Sequence, residues 1–418
     1  MILKKTIIFV AYTIKTINMG QRLLDEIKKG TKSATMKRRI ITHFIYNGDA
    51  TITDLSKDMD LSIPTITKLI DEMCEDGYVD DNGKLETNGG RHPNLYGLNP
   101  DAGYFLGVEA VQTYLSFCVV NFRGEIVDFK TKIPFKRENT VECLDKMCDE
   151  ILLYIDSLPY KKEKYLNVCL GLHGRVNPVT GCSYGTFNFA QTPISEMITD
   201  RIGINACVDN DSRTTAYGEY MLHSVKCPKN LIFINISWGL GMGIIIDGKL
   251  YNGMSGFAGE FGHNFGYDNQ QICHCGKKGC IETEVSCSAL YRKFIERLKN
   301  GESSVILKEK SIEEIELDDI FNAVDREDVL AIELVEEIGQ KLGRHIGGLI
   351  NIFNPEQVII GGDLSRVGDY LLHPVISAIR KHTLNMMYRD SDIVLSELKE
   401  KANAVGAALL SRSNLFVI

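Results

Sequence analysis

Between Met36 and Leu98 the spacing of apolar residues changes three times, and few small folds accept that succession. Ile40, Ile41, Phe44 and Ile45 recur at helical spacing until Asn47-Gly48-Asp49 stops the helix. A second helix is predicted from a cap at Thr53, with Leu55 and Met59 inward, before the short turn Asp60-Leu61-Ser62. Pro64 then sits in the first turn of a third helix, whose apolar stripe is Ile66, Leu69, Ile70 and Met73. Tyr78-Val79 and Lys84-Leu85 flank Asn82-Gly83, a strong hairpin turn signal. Turn length, hairpin and a basic preceding segment together favour a winged helix-turn-helix over a plain three-helix bundle. Such a head would read DNA. The stripe leaves Ser62, Thr65, Thr67 and Lys68 for the major groove, Lys84 for the wing, and Lys37, Arg38 and Arg39 for phosphates.

Charge supports a local rather than a global role for DNA. Through Arg39, ten Lys or Arg face only Asp25 and Glu26, whereas the whole chain of 418 residues carries a net charge of −8. No chain-wide positive field exists to hold nucleic acid or an anionic membrane. With 44% apolar and 24% charged residues the chain is globular, and its length implies two to four folding units. Twelve cysteines are too sparse for a disulfide scaffold, so a reducing, cytoplasmic setting is expected. Met1–Ile14 resembles a short secretory apolar region, but Lys15 interrupts it and no cleavage signal follows, so residues 1–30 are expected to be an extension without fixed structure. No uncharged apolar run approaches the ~20 residues of a membrane span.

Beyond the Gly- and Pro-rich Gly89–Pro93, short β-like runs form a meander at Tyr104–Gly107, Leu115–Val120 and the Arg123-Gly124 turn. Val141–Leu158 is helical, and Leu166–Leu172 and Leu231–Ile236 are continuous apolar runs typical of buried strands. A long helix over Leu330–Phe353, a strand at Gln357–Ile360, and helices at Gly368–Lys381 and Ala404–Ser411 continue the alternation. The expectation is an α/β architecture of two lobes, 99–225 plus 400–418 and 226–399, after a head at 31–98. Asn300–Asp319 alone has a linker's charge density.

Two groups of side chains carry chemistry. His263, Cys273, Cys275 and Cys280 supply the soft, closed donor set that tetrahedral Zn²⁺ takes in structural sites, with Gly276 and Gly279 easing the turn. His274 lies in the same segment, and spacing alone does not choose between the two histidines. Asn210, Asp211, Glu260 and Glu282 are hydrogen-bonding groups that would suit the paired hydroxyls of a sugar if they converged. The run Gly239-Leu-Gly241-Met-Gly243 fits either a phosphate-cradling loop or a tight hairpin.

Taken in order, Val208-Asp209-Asn210-Asp211, Gly239 to Gly248, Gly256-Phe-Ala-Gly259-Glu260-Phe-Gly262-His263, the cysteine cluster through Glu282, and Asn354 to Gly362 resemble the ROK family of repressors, open reading frames and kinases. The resemblance covers nearly everything from Met36 to Ser411. It implies an actin-like or ribonuclease-H-like pair of lobes with zinc on His263, Cys273, Cys275 and Cys280. It also implies sugar contacts at Asn188, Asn210, Asp211, Glu260, His263 and Glu282. Asp211 matches the general base of the kinases. Kinase members open the first lobe with an Asp and a Gly-Gly-Thr turn, where this chain has Glu109-Ala110-Val111-Gln112-Thr113, and Trp238 stands at a Thr position of the second phosphate loop. A Pro-Gly pair near the cleft is His173-Gly174 here. These departures argue against ATP use. The expectation is a sugar-responsive repressor of carbohydrate metabolism, acting as a homodimer or homotetramer on operator DNA, in which lobe closure on a sugar or sugar derivative re-sets the paired heads. A glucokinase-like, ATP-dependent sugar kinase with a DNA-binding head is the alternative.

Overall fold

The computed structural model describes residues 23–24, 26–27, 29–84, 93–189, 192–222 and 228–417. Most of the expected extension therefore lies outside the described residues. The chain divides into two compact units, one of residues 1–211, 221–226 and 403–418, the other of 212–220 and 227–402. Both are mixed α/β.

The first unit begins with the head. Helix α1 (Lys32–Asn47) is capped by Thr31 and ends at Gly48, whose φ of 74° needs a residue without Cβ. Ala34, Lys37, Ile40, Ile41, Phe44 and Ile45 form its buried face. Helix α2 (Ile52–Met59) is capped by Thr51 rather than the expected Thr53, because Thr51 and Asp54 exchange the two bonds of a capping box. Helix α3 (Ile63–Glu75) is capped by Ser62 and buries Ile66, Leu69, Ile70 and Met73, the expected stripe. A three-stranded sheet of β1 (Ala50–Thr51), β3 (Asn94–Leu98) and β2 (Val79–Lys84) closes the head. The hairpin turn expected at Asn82-Gly83 is not there. Strand β2 runs through both residues, with an irregularity in its pairing to β3 between Asp81 and Lys84, and the connection falls in residues 85–92, outside the described residues. Asp81 explains the local conformation, since its carboxylate accepts the Gly83 N–H at 2.9 Å and the Asn94 amide at 2.6 Å.

A five-stranded sheet follows in the order β10-β7-β4-β5-β6. Its members are β4 (Tyr104–Ala110), β5 (Tyr114–Asn121), β6 (Ile126–Pro134), β7 (Tyr165–Leu172) and β10 (Ala206–Asn210), with the short pair β8 (Val176–Asn177) and β9 (Cys182–Ser183) alongside. Strands β4, β7 and β10 are parallel, and the inner pair β4 and β7 is nearly all apolar, as burial on both faces requires. Helices α4 (Val141–Asp156) and α5 (Ile194–Ile202) cover one face with Leu144, Met147, Ile151 and Ile198. Helix α12 (Ala402–Phe416) crosses at Gly107, where a Cβ would overlap the backbone of Ala404 and Ala408.

The second unit carries the sheet β13-β12-β11-β14-β15, built from β11 (Leu231–Ile236), β12 (Leu240–Ile246), β13 (Lys249–Leu250), β14 (Gln357–Gly361) and β15 (Asp392–Leu395). Its core joins the strands to α7 (Cys287–Lys299), α8 (Leu317–Asp325), the 25-residue α9 (Val329–Phe353) and α10 (Asp369–His382), with short α11 (Asn385–Asp390) after it. Asn300–Asp319 is not a linker: Ile306 and Ile315 are buried within it, so its charges line the outside of packed turns. Helix α6 (Asp211–Leu222) joins the two units in sequence.

Candidate functional site

The cysteine cluster forms from two turns of the second unit. A short 3-10 turn carries His263, and the loop to Cys280 folds back through pairings of Phe265 with Cys280 and Ile272 with Lys278. Gly276 and Gly279, at φ 84° and 78°, supply the left-handed turns expected of them. One ligand atom each from His263, Cys273, Cys275 and Cys280 lies within 4.8 Å of the others. The Cys275 and Cys280 sulfurs are 3.6 Å apart, and the Cys273 sulfur is 3.5 Å from His263 Nδ1. A tetrahedral Zn²⁺ with bonds of about 2.3 Å to sulfur and 2.0 Å to nitrogen has edges of about 3.8 and 3.5 Å, so the four donors are spaced to hold a metal. Burial pushes the Cys273 thiol up to about 12. Against the same burial, the Lys277 N–H and the neighbouring thiols hold Cys275 below the ordinary thiol range. Metal binding requires deprotonated thiols, and a divalent cation supplies the charge that favours them. His274 stands beside the cluster: its Nδ1 meets Glu282 at 2.8 Å and lies 3.9 Å from the Cys273 sulfur, its ring is edge-on to His263, and its side chain is exposed, so His263, His274 and Glu282 form a second, more open donor group.

The cluster fixes its acidic neighbours. His263 presents Nδ1 to Cys273 and Nε2 to Glu260 at 3.7 Å. Glu282, buried, accepts the Leu240 N–H at 2.9 Å, and a Cβ on Gly239 would lie 2.7 Å from its carboxylate. The glycine run thus has a packing purpose in strand β12. Gly239 clears Glu282, and Gly241 and Gly243 let Ser212 and Ala216 of α6 lie against the strand. The run begins at a hairpin turn, with β11 and β12 antiparallel and joined at Ser237–Gly239, and continues along β12.

In the first unit, Asn210 and Asp211 stand at the junction of β10 and α6. Asp211 accepts from Asn210 at 2.9 Å and meets His173 Nδ1 at 3.0 Å, so a histidine touches the carboxylate. Asn210 also donates to Gly174 O at 2.9 Å. Asn188 is held by Asn139, which accepts its backbone N–H at 3.0 Å. Arg137, which sequence reasoning missed, ties these together by donating to Thr186 at 2.8 Å and to Ala110 O at 3.2 Å. Thr186 in turn donates to His173 O. No motif marks Arg137. At the β4–β5 turn Gln112 donates to Arg137 O at 2.8 Å, which fixes a long side chain there. In the second unit Trp238 is 59% exposed, tilted against Tyr291 at 6.2 Å.

The DNA-facing candidates divide. Ser62, Thr65 and Lys68 at the start of α3 are exposed and Thr67 is half-buried, while Lys84 is exposed at the described end of β2. Ser62 and Thr65 hydroxyls share a bond of 2.8 Å, and Thr67 donates to Ile63 O at 2.9 Å. Ile63, 53% exposed beside Pro64, was missed because a stripe analysis assigns apolar residues to the core; an apolar tip there suits thymine methyl groups. The three basic residues of α1 are not free phosphate ligands. Lys37 is buried and paired with Glu72 at 3.0 Å and Asp76 at 3.6 Å. Arg38 donates to the carbonyls of Phe416 and Val417 at 3.1 and 2.8 Å, and Arg39 to Met59 O at 3.3 Å.

The ROK family model matches residues 105–414 and a winged helix-turn-helix DNA-binding model matches residues 35–80. The chain belongs to the ROK family. It is 29% identical over 366 residues to the xylose repressor of Caldicellulosiruptor bescii, covering 87% of this chain and 92% of that protein. Among solved structures, a ROK family transcriptional regulator described as a homologue of the E. coli MLC protein superposes with a TM-score of 0.77 at 26% identity, over 96% of this chain and 97% of that one. A ROK family glucokinase from Streptomyces griseus, in complex with glucose and AMPPNP, gives 0.66 at 28% identity over 74% of this chain and 100% of the enzyme. The repressor-type relatives thus align with the head included, whereas the glucokinase aligns with the ROK part alone. Among the described residues no helix is long and apolar enough to cross a membrane.

Proposed function

We propose that this chain is a sugar-responsive transcriptional repressor of carbohydrate metabolism that binds operator DNA through α3 and β2 of its head. The observation that carries the reading is a helix-turn-helix with an exposed N-terminal α3 face, fused to a ROK part that carries Gln112, bonded to Arg137 O, and the exposed Trp238 at the positions where the kinases' phosphate loops were expected. Ser62, Ile63, Thr65, Thr67 and Lys68 are its base-reading candidates and Lys84 its phosphate contact. The candidates for recognising a sugar or sugar derivative are Asn188, Asn210 and Asp211 in the first unit and Glu260, His263 and Glu282 in the second. His263, Cys273, Cys275 and Cys280 hold one structural zinc, which leaves no open coordination position for catalysis. The protein works in the cytoplasm as a homodimer or homotetramer, with effector binding shifting the balance between states of different DNA affinity.

Electrostatics of the head limit how it binds. With Lys37 buried in ion pairs and Arg38 and Arg39 bonded to backbone carbonyls, phosphate contacts from α1 are few, so two heads on a two-fold operator supply the affinity. The test is fluorescence anisotropy with DNA upstream of the chain's own gene, with and without a panel of sugars, amino sugars and sugar phosphates. Loss of binding on deleting residues 1–99 and a response to one sugar class support the reading. Intact binding by the deletion refutes it. The kinase alternative keeps one observation in its favour, an Asp211 carboxylate bonded to Asn210 and His173. Release of ADP at a rate near the typical enzyme value of ~10 s⁻¹ with any hexose would establish that alternative.

A further inference from the structure

Cys169 and Cys207 face each other on neighbouring strands. Strands β7 and β10 are parallel with Cys207 in register with Cys169, and Gly107 of β4 continues the same row. Since Gly107 is where α12 presses on the sheet, the row's side chains point toward α12. Three contacts confirm that direction. Asn167, two residues before Cys169, donates to Ser411 O at 2.9 Å and to the Cys207 sulfur at 3.6 Å, and Asn414 donates to the same sulfur at 3.4 Å. Two amide groups therefore converge on one thiol whose neighbour is a second thiol. Hydrogen bonds donated to sulfur favour the thiolate, the nucleophilic form. The Cys169 thiol and the two amides accordingly hold Cys207 below the ordinary range against the effect of burial, while the bond to Cys207 and burial push Cys169 well above it. Strand β10 is the sheet's edge, so Cys207 is half-buried as a residue although its sulfur faces α12, and Cys169 is buried. Neither residue has a part in the sugar, metal or DNA readings.

We propose that Cys207 is a peroxide-reactive thiol resolved by Cys169, and that its oxidation loosens the grip of α12 on the DNA-binding head. In the first step the Cys207 thiolate attacks one oxygen of hydrogen peroxide. The O–O bond breaks, sulfenic acid forms, and the departing hydroxide takes a proton to become water. In the second, the Cys169 sulfur attacks the sulfenic sulfur, the S–O bond breaks and a second water leaves with the Cys169 proton. The two sulfurs together give up two electrons and the peroxide accepts them. Neighbouring strands lie about 4.8 Å apart, inside the Cα range of about 4.4–6.8 Å that a disulfide spans, and the two strands must draw together by a few tenths of an ångström to bring the Cβ atoms within about 4.5 Å. The new bond removes Cys207 as the acceptor for Asn414. Two residues further on, Phe416 O accepts from Arg38 and from Thr42 at 2.7 Å, and Val417 O accepts from Arg38, so the last turn of α12 is also what holds α1.

The experiment uses the full chain treated with a small excess of hydrogen peroxide, with peptide mapping without reductant. The expected result is a Cys169–Cys207 crosslink reversible by dithiothreitol, and in Cys169→Ser a dimedone adduct on Cys207. Amide exchange in residues 38–45 should quicken about tenfold on oxidation and recover on reduction. Asn414→Leu, which keeps both thiols, should slow adduct formation about fivefold by removing a donor to the thiolate. Oxidation confined to other cysteines overturns the assignment of Cys207, and a crosslink that leaves exchange in 38–45 unchanged overturns the coupling to the head.

Discussion

Replacing Lys37 separates two accounts of the basic segment. Its ammonium lies 3.0 Å from Glu72 and 3.6 Å from Asp76, with the Lys37 side chain 7% exposed and its partners 38% and 27% exposed. Lys37→Ala removes about three methylenes of packed stem, worth about 2 kcal/mol at roughly 0.8 kcal/mol each. Because Glu72 and Asp76 can hydrate once released, losing the ion pairs adds only about 0.5–1 kcal/mol, well short of a fully buried pair. The head should therefore lose about 2–3 kcal/mol, and Lys37→Met, which keeps the stem, about 1 kcal/mol. Amide exchange of α1 and α3 in the full chain reads the stability of the head directly. DNA binding measured against salt reads phosphate contacts, and a residue that neutralises one phosphate contributes about 0.9 to the slope of log affinity against log salt. The expected outcome is destabilisation with an unchanged slope. A slope reduced by about 0.9 with unaltered exchange would refute the internal role and return Lys37 to the DNA surface.

Three further outcomes are expected. Cys275→Ser should lower metal content from about one zinc per chain to near none and make residues 260–284 susceptible to protease, as metal analysis and limited proteolysis would show; unchanged zinc would exclude the cluster. Asp211→Ala should weaken binding of the cognate sugar by about 1–3 kcal/mol, or about 5- to 150-fold, by leaving a sugar hydroxyl unpaired, which titration calorimetry measures. Glu284, bonded to Lys293 at 2.7 Å and Lys341 at 2.6 Å, is held down to about 2 by those two lysines against burial, so its carboxylate stabilises the second unit above pH ~4.5 and loses that contribution as pH falls toward 2. Glu284→Gln should cost about 2 kcal/mol in urea unfolding at pH 7 and progressively less below pH 4; a deficit constant from pH 7 to 3 would contradict the assignment.

The fold was legible wherever apolar spacing met an unambiguous stop. The α3 stripe, the buried runs of β7 and β11, and the Leu330–Phe353 helix all follow from period and punctuation. Side-chain commitment was harder to see. Lys37 stands three, four and seven residues before Ile40, Ile41 and Phe44, inside the buried stripe, but its charge drew it to the DNA surface, and only acidic partners on α3 explain how it can be buried. Asn82-Gly83 has the chemistry of a turn, yet Asp81 satisfies it within a strand. The cysteine cluster was visible because its donors are close in sequence, but the choice of His263 over His274 depended on Glu282 taking the second imidazole. The Asn167, Cys207 and Asn414 contacts join positions 40 and 207 residues apart and leave no local trace.

Thr42 and Phe416 meet across 374 positions of chain. At about 5–20 residues per second of synthesis, α1 waits about 20–75 s on the ribosome before the carbonyls that anchor it exist. During that interval the head has its own small core and its contacts to the end of β5, where Arg123 donates to Leu98 O and Asn82 Oδ1 and Tyr78 lies against Phe122, but α1 has no anchor. A premature stop a few codons before Phe416 would therefore yield a molecule with an intact helix-turn-helix, a nearly complete ROK part and α1 released from the rest of the first unit, so it would behave genetically as a poorly regulated allele rather than as an absent one.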